Sequence, residues 1–100
     1  VLVWNALGYG AEVHKLKAKG LDASLARWSD TTDFAAVARA FGGDGAVVTR
    51  LDQFADAMRR SLASDSLFVI DVRVSPSIKT DAYLKLHFGI ENQAPSLRKI

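Results

Sequence analysis

Apolar and polar positions alternate between short continuous runs and amphipathic stretches along the chain. Val1 to Trp4 form an unbroken apolar run, the pattern of a strand covered on both faces. Asn5 to Gly10 read as a turn. From Ala11 to Lys19 the spacing becomes helical: Val13 and Leu16 lie three apart, with His14, Lys15, Lys17 and Lys19 spread around them. Gly20 reads as the stop of that helix. Leu21 to Thr32 carry no regular period, and Leu21, Leu25 and Trp28 give this excursion apolar side chains to bury. Asp33 is placed to cap a helix, "FAAVARAFG", with Phe34, Val37 and Phe41 on one side and Gly42 and Gly43 at its end. "GAVVTR" reads as a short strand. "LDQFADAMRRSLAS" reads as an amphipathic helix with Leu51, Phe54, Met58 and Leu62 at three-to-four spacing, and "SLFVIDVRV" as the strongest strand. Beyond Ser75, "DAYLKLHFGI" reads as a short helix before a polar end.

Strands separated by helices predict a parallel sheet with right-handed crossovers. The expected fold class is α/β: a three-layer parallel sheet fragment in the order β-α-α-β-α-β over residues 1–76, with a helical C-terminal tail over residues 77–100. Two of the three strands read as fully buried, so the unit is expected to pack against more sheet or another chain. A chain that opens inside a strand also reads as a piece of something longer.

Composition narrows the function classes. The chain has 100 residues, room for one domain, and 49% of them are hydrophobic, enough for a real core. The net charge of +2 is weak and its basic residues are scattered, so no nucleic-acid partner is expected. No apolar run reaches the length of a membrane span and no leader pattern is visible, so no membrane partner is expected. There is no cysteine, which removes disulfides and thiolate metal sites and fits a cytoplasmic protein.

Candidate chemistry begins at the end of the first strand. In parallel α/β folds ligands bind beyond the carboxyl ends of the strands. Asn5 ends that strand, Gly8 and Gly10 permit close backbone approach, and the helix that follows opens with N–H groups suited to a phosphate. The same residues also describe a plain strand-to-helix turn, and at this level both readings stand.

The stretches "VWNALGYGAEVHKLKAKGLD" and "DFAAVARAFGGDGAVVTRLDQFADAMRRSLASDSLFVIDVRVSP" resemble the C-terminal half of the cofactor-binding domain of thiamine-diphosphate-dependent enzymes. The nearest branch is similar to acetolactate synthase and benzoylformate decarboxylase, which act on 2-oxo acids. The resemblance covers residues 1–76. It implies thiamine diphosphate and Mg2+ as cofactors. In that family a Gly-Asp-Gly triplet and a later Asn-Asn or Asn-Asp pair hold the diphosphate and its magnesium. The pair ends a strand and is followed by a short loop and Tyr-Gly. Aligned on Tyr9-Gly10, Asn5 matches the first Asn, Gly8 matches the residue whose carbonyl binds the metal, and the side-chain ligand falls on Ala6, which has no oxygen to offer. Either that ligand is lost, or the loop is one residue longer, Asn5 is the ligand and the carbonyl comes from Leu7. The resemblance thus implies Asn5, Gly8, Tyr9 and Gly10 as cofactor-binding residues and Asn5 and Gly8 as metal-binding residues. Gly43-Asp44-Gly45 imitates the first triplet, but no Asn pair follows it, so Asp44 reads as a turn residue; the true triplet is expected upstream of Val1.

In the resembling enzymes the helix after the loop borders the substrate pocket, which makes Glu12 and Lys15 substrate-pocket candidates; alternatively they form an exposed ion pair. His14 reads as a solvent-facing helical side chain, since nothing in the sequence orients it as a base. His87 reads as a packing or surface residue. Asp71 and Arg73 are expected to face an edge or absent neighbours, and Trp4, Trp28 and Phe54 to serve core or interface.

The resulting expectation is part of a thiamine-diphosphate-dependent enzyme that decarboxylates or ligates a 2-oxo acid. It carries the diphosphate and magnesium loop, needs the rest of the enzyme and a second subunit, and is inactive alone. The rival is a non-catalytic oligomerisation or interaction module with a degenerate cofactor site. A dinucleotide-binding unit is disfavoured because no Gly-x-Gly-x-x-Gly follows a strand.

Overall fold

In the computed structural model residues 1–89 are described; the end of the expected tail helix at Ile90 and the polar end after it lie outside them. The elements run β1 (Leu2–Asn5), α1 (Gly10–Ala18), a 3₁₀ turn (Ala23–Ala26), α2 (Phe34–Ala40), β2 (Asp44–Val48), a 3₁₀ turn (Leu51–Gln53), α3 (Phe54–Ala63), β3 (Phe68–Arg73) and α4 (Asp81–Phe88). Among the described residues the strands form one parallel sheet in the order β1-β3-β2, and the α/β class and layering are as the pattern predicts.

The helix ends follow local chemistry. Asp33 caps α2 by accepting from the Ala36 N–H at 3.0 Å. Gly20, at φ +68°, closes α1: the Leu21 N–H bonds the Leu16 carbonyl and the Gly20 N–H bonds the Lys17 carbonyl, the paired arrangement that satisfies a helix's last carbonyls.

β3 is the buried centre of the sheet. Its Phe68, Ile70 and Val72 point to one face and join Val48, Ala57, Phe54 and Met58 in a core beneath α3. Its Val69 and Asp71 point to the other face, which α2 covers. There contact is very close. A Cβ on Gly45 would stand 2.7 Å from the Ala35 Cβ, so α2 packs through the small residues Ala35 and Ala38, both buried. This overturns the expected apolar face: Val37 is half exposed and Phe41, at the helix end, is 81% exposed. Small side chains, invisible to a count of large apolar residues, set the approach of this helix.

Four further expectations fail. Among the described residues β1 is an edge strand and not one covered on both faces, since Leu2 and Trp4 lie uncovered, the latter 70% exposed. Leu51 and Leu62 of the amphipathic stretch are exposed, and so are Leu21 and Leu25 of the excursion; the excursion buries Ala26 and half of Trp28 instead. Asp71 and Arg73 sit on the central strand and not at an edge: Asp71 is fully buried and Arg73 largely so.

Candidate functional site

The carboxyl ends of β1 and β3 are built around a buried polar network. Asn5 and Asp71 are both 0% exposed. Asn5 Nδ2 donates to Asp71 Oδ1 at 2.9 Å. Asn5 Oδ1 accepts from the Leu7 N–H at 2.9 Å and from Trp28 Nε1 at 3.2 Å. Asp71 Oδ2 accepts from the Phe34 N–H at 3.0 Å, and Asp71 Oδ1 lies 3.4 Å from Arg73 Nε. Arg73 in turn donates to the carbonyls of Asp30 and Thr32. A buried carboxylate is tolerated only when its oxygens are paired in this way. The network ties residues 28–34 to the strand ends, which the sequence reading missed because a lone Asp in an apolar strand has no local partner.

The excursion also clamps the loop after β1. The Tyr9 N–H donates to the Ala26 carbonyl at 2.8 Å and the Trp28 N–H to the Leu7 carbonyl at 3.1 Å. Gly8 pairs with Arg27 across this bridge, and a Cβ on Gly8 would meet the Ala26 carbonyl oxygen at 2.6 Å. Gly8 is therefore required by the neighbouring backbone. Leu7 holds φ +60°, a conformation costly for a side chain with a Cβ. Tyr9 packs edge-on against Trp28 at 5.2 Å between ring centroids.

Beyond the strand ends lies a cavity of about 230 Å³. Ala6 and Val74, the residues just past β1 and β3, form its floor. Gly10, Ala11 and His14 of α1 line it as well, as do Lys79, Thr80 and Tyr83 from the segment after β3. No side chain caps α1, so the N–H groups of Gly10, Ala11 and Glu12 have no partner within the helix. The space in front of Gly10 is open. α4 is fastened over the cavity by Tyr83 Oη, which donates to the Ala11 carbonyl at 2.7 Å. A second cavity, about 280 Å³, is lined by the apolar Trp4, Val48, Leu51, Phe54 and Val72 together with Thr49, Arg50 and Arg73. It too lies at strand ends, with Thr49 and Arg50 just past β2 and Arg73 closing β3, but no residue of α1 lines it.

His14 is half-buried in the cavity wall and not solvent-facing as the sequence reading held; its ring meets Tyr83 at 5.8 Å. Burial holds its pKa below the ordinary value, helped by the positive charges of Lys79, Lys17 and Arg27. Burial, with Glu12 nearby, pushes the Tyr83 hydroxyl up. The His87 ring lies tilted against Tyr83, 4.6 Å between centroids. Glu12 and Lys15 do not line this cavity and form no ion pair with each other. Asp44 opens β2, at the opposite end of the sheet, where it accepts from the Gly45 N–H at 2.7 Å.

One family model, thiamine pyrophosphate enzyme, C-terminal TPP binding domain, matches residues 1–72. The chain belongs to this family. Comparison with curated proteins and with solved structures gives no match. The family places thiamine diphosphate at the centre of the functional question, and the residues present can be tested against it.

For the diphosphate the fit is good. The uncapped start of α1 faces an open cavity beyond the strand ends, and the Gly10 and Ala11 N–H groups would hold phosphate oxygens there. The role expected of Tyr9 shifts: its N–H is taken by Ala26 and its ring by Trp28. For a divalent cation the side chains do not fit. Both lone pairs of Asn5 Oδ1 are occupied by donors, Ala6 has no ligand atom, and among the described residues no cluster of three or more His, Asp or Glu side chains is placed to hold a metal. Strand alternation explains the division: Asn5 turns into the network and Ala6 toward the cavity.

Proposed function

We propose that this domain supplies the diphosphate-holding part of a thiamine-diphosphate-dependent enzyme that acts on a 2-oxo acid, by decarboxylation or carboligation. The observation that carries the proposal is the uncapped N-terminus of α1 opening into the cavity at the carboxyl ends of β1 and β3, inside a domain of this family. The 2-oxo acid class comes from the likeness of "VWNALGYGAEVHK" to the acetolactate synthase and benzoylformate decarboxylase branch. The bound cofactor supplies the carbon nucleophile and electron sink for cleaving or forming a bond next to a carbonyl. The domain's own residues do the rest: Gly10 and Ala11 bind, the Asn5–Asp71 network fixes the loop, and Tyr83 ties α4 to the first turn of α1.

Glu12 and Lys15 remain substrate-facing candidates in the assembled enzyme, where a second subunit and further parts of the enzyme complete the pocket. On this proposal the 100-residue chain alone is inactive. The test is carbon dioxide release from pyruvate and benzoylformate with thiamine diphosphate and magnesium. Turnover by the intact protein and none by the isolated chain is the expected result. An intact protein that consumes neither substrate by decarboxylation nor by carboligation refutes the reaction class.

Ala6 favours a second reading, a non-catalytic module that keeps the fold after losing the site. Calorimetric titration of the intact protein with thiamine diphosphate separates the two, because the module reading requires no binding.

A further inference from the structure

We infer that this protein counters the charge of a bound diphosphate at the β1 loop with the Lys79 ammonium, in place of a divalent cation anchored on a side chain of that loop. The inference rests on the thiamine diphosphate reading above and concerns how the cofactor's charge is neutralised.

The first ground is the absence of a side-chain ligand where one is needed. A magnesium ion requires oxygen ligands in near-octahedral geometry. Ala6 occupies the position that looks into the cavity. Asn5 is withheld from it. For Asn5 Oδ1 to take a cation, the Leu7 N–H and Trp28 Nε1 would have to lose their acceptor, and the Asn5 amide would swing away from a fully buried Asp71. That exchange strands the buried Asp71 oxygen and two part-buried donors, each a desolvation cost with no compensating partner.

The second ground is what stands in the metal's place. A diphosphate brought out of water must meet positive charge or lose most of its binding energy to desolvation. Lys79 lines the same cavity as Ala6, Gly10 and Ala11, from the segment joining β3 to α4. It is half-buried, and among the described residues no carboxylate lies within ion-pair distance of it. Its charge acts on His14, which lines the same cavity. Neither of the acidic groups nearby is ion-paired to it. Glu12 lies toward Tyr83 but outside the lining, and Asp81, whose Oδ1 is buried without a partner, also does not line the cavity. A lysine ammonium is a compact charge with three donors and a common binder of phosphate.

The experiment is calorimetric titration of the intact protein with thiamine diphosphate, in excess magnesium and again in EDTA. The wild type is expected to change its Kd by less than about threefold between the two conditions, and Lys79→Met to bind at least about tenfold more weakly in EDTA. Lys79→Arg should keep most of the affinity, which separates charge from packing. Ala6→Asp should convert the site to a metal-dependent one, tighter in magnesium and weaker in EDTA, because the new carboxylate faces the cavity. Thermal unfolding of each variant checks that it is folded. Wild-type binding that disappears in EDTA, or a folded Lys79→Met protein that binds as the wild type does, overturns the inference alone. No binding by the folded wild type in either condition overturns the thiamine diphosphate reading and this inference with it.

Discussion

Replacing Asn5 by alanine should destabilise the protein before any cofactor is added. Three hydrogen bonds end on this side chain: one to Asp71 at 2.9 Å, one from the Leu7 N–H at 2.9 Å and one from Trp28 Nε1 at 3.2 Å. A bond to a charged group contributes about 1.5–3 kcal/mol net and a neutral one about 1 kcal/mol. Alanine also leaves a cavity where no water has access, since Asn5 is 0% exposed. Asp71 keeps the Phe34 N–H and its Arg73 partner, which limits the damage. The sum is about 3–5 kcal/mol, a large share of the roughly 5–15 kcal/mol typical of a whole domain. It corresponds to a fall in Tm of about 15 °C or more for a unit of this size. The assay is thermal and urea unfolding in EDTA with no thiamine diphosphate present. A residue whose work is to bind metal at a surface loop would show the opposite behaviour: little change in the unliganded protein and loss of metal-dependent stabilisation. A change below about 0.5 kcal/mol in EDTA, the range of ordinary surface substitutions, would refute the structural role assigned to Asn5.

The neighbouring loop makes separate demands. Gly8→Ala places a Cβ 2.6 Å from the Ala26 carbonyl oxygen. It should cost about 2 kcal/mol in unfolding experiments and expose the 21–33 excursion to proteolysis; an unchanged digestion pattern would contradict this. Leu7, at φ +60°, should tolerate glycine with no loss of stability, while Leu7→Val should cost about 1–2 kcal/mol because a branched Cβ fits this conformation worse; equal stabilities would show that the strain is absent. His14 gives a pH signature. Its pKa is held down in the folded state by burial and by Lys79, Lys17 and Arg27, so the unfolded chain takes up the proton first as pH falls. Stability should therefore decline below about pH 6.5. His14→Gln should flatten that decline in Tm measured from pH 7.5 to 5.5, and parallel profiles for the two proteins would count against the assignment.

The order of elements was legible in the sequence because each carried its own local signal: the apolar run of β3, the capping Asp33, the terminating Gly20. The depth at which each element sits was not. Whether β1 is central or an edge depends on strand order, which hydrophobic runs do not encode. α2 misled because its buried face is made of Ala35 and Ala38 opposite Gly45, so its largest side chains mark the outside. The site was half legible. The turn after β1 and the odd Ala6 stand out along the chain, whereas the Asn5–Asp71 pair spans 66 residues and appears only once β1 lies beside β3. The same holds for Lys79 and Tyr83, which reach the cavity from the segment after β3 and carry no motif of their own. Gly8 shows the converse: the sequence marked it as a place where the backbone approaches a ligand, whereas in the structure the excursion's own backbone is what approaches.

The most direct measurement is a crystal structure of the intact protein with thiamine diphosphate. The diphosphate should lie in the cavity beyond β1 and β3, with phosphate oxygens within hydrogen-bond distance of the Gly10 and Ala11 N–H groups, and with Asn5 still bonded to Asp71. A diphosphate seated elsewhere, with the start of α1 left unliganded, would contradict the assignment of this cavity as the cofactor site.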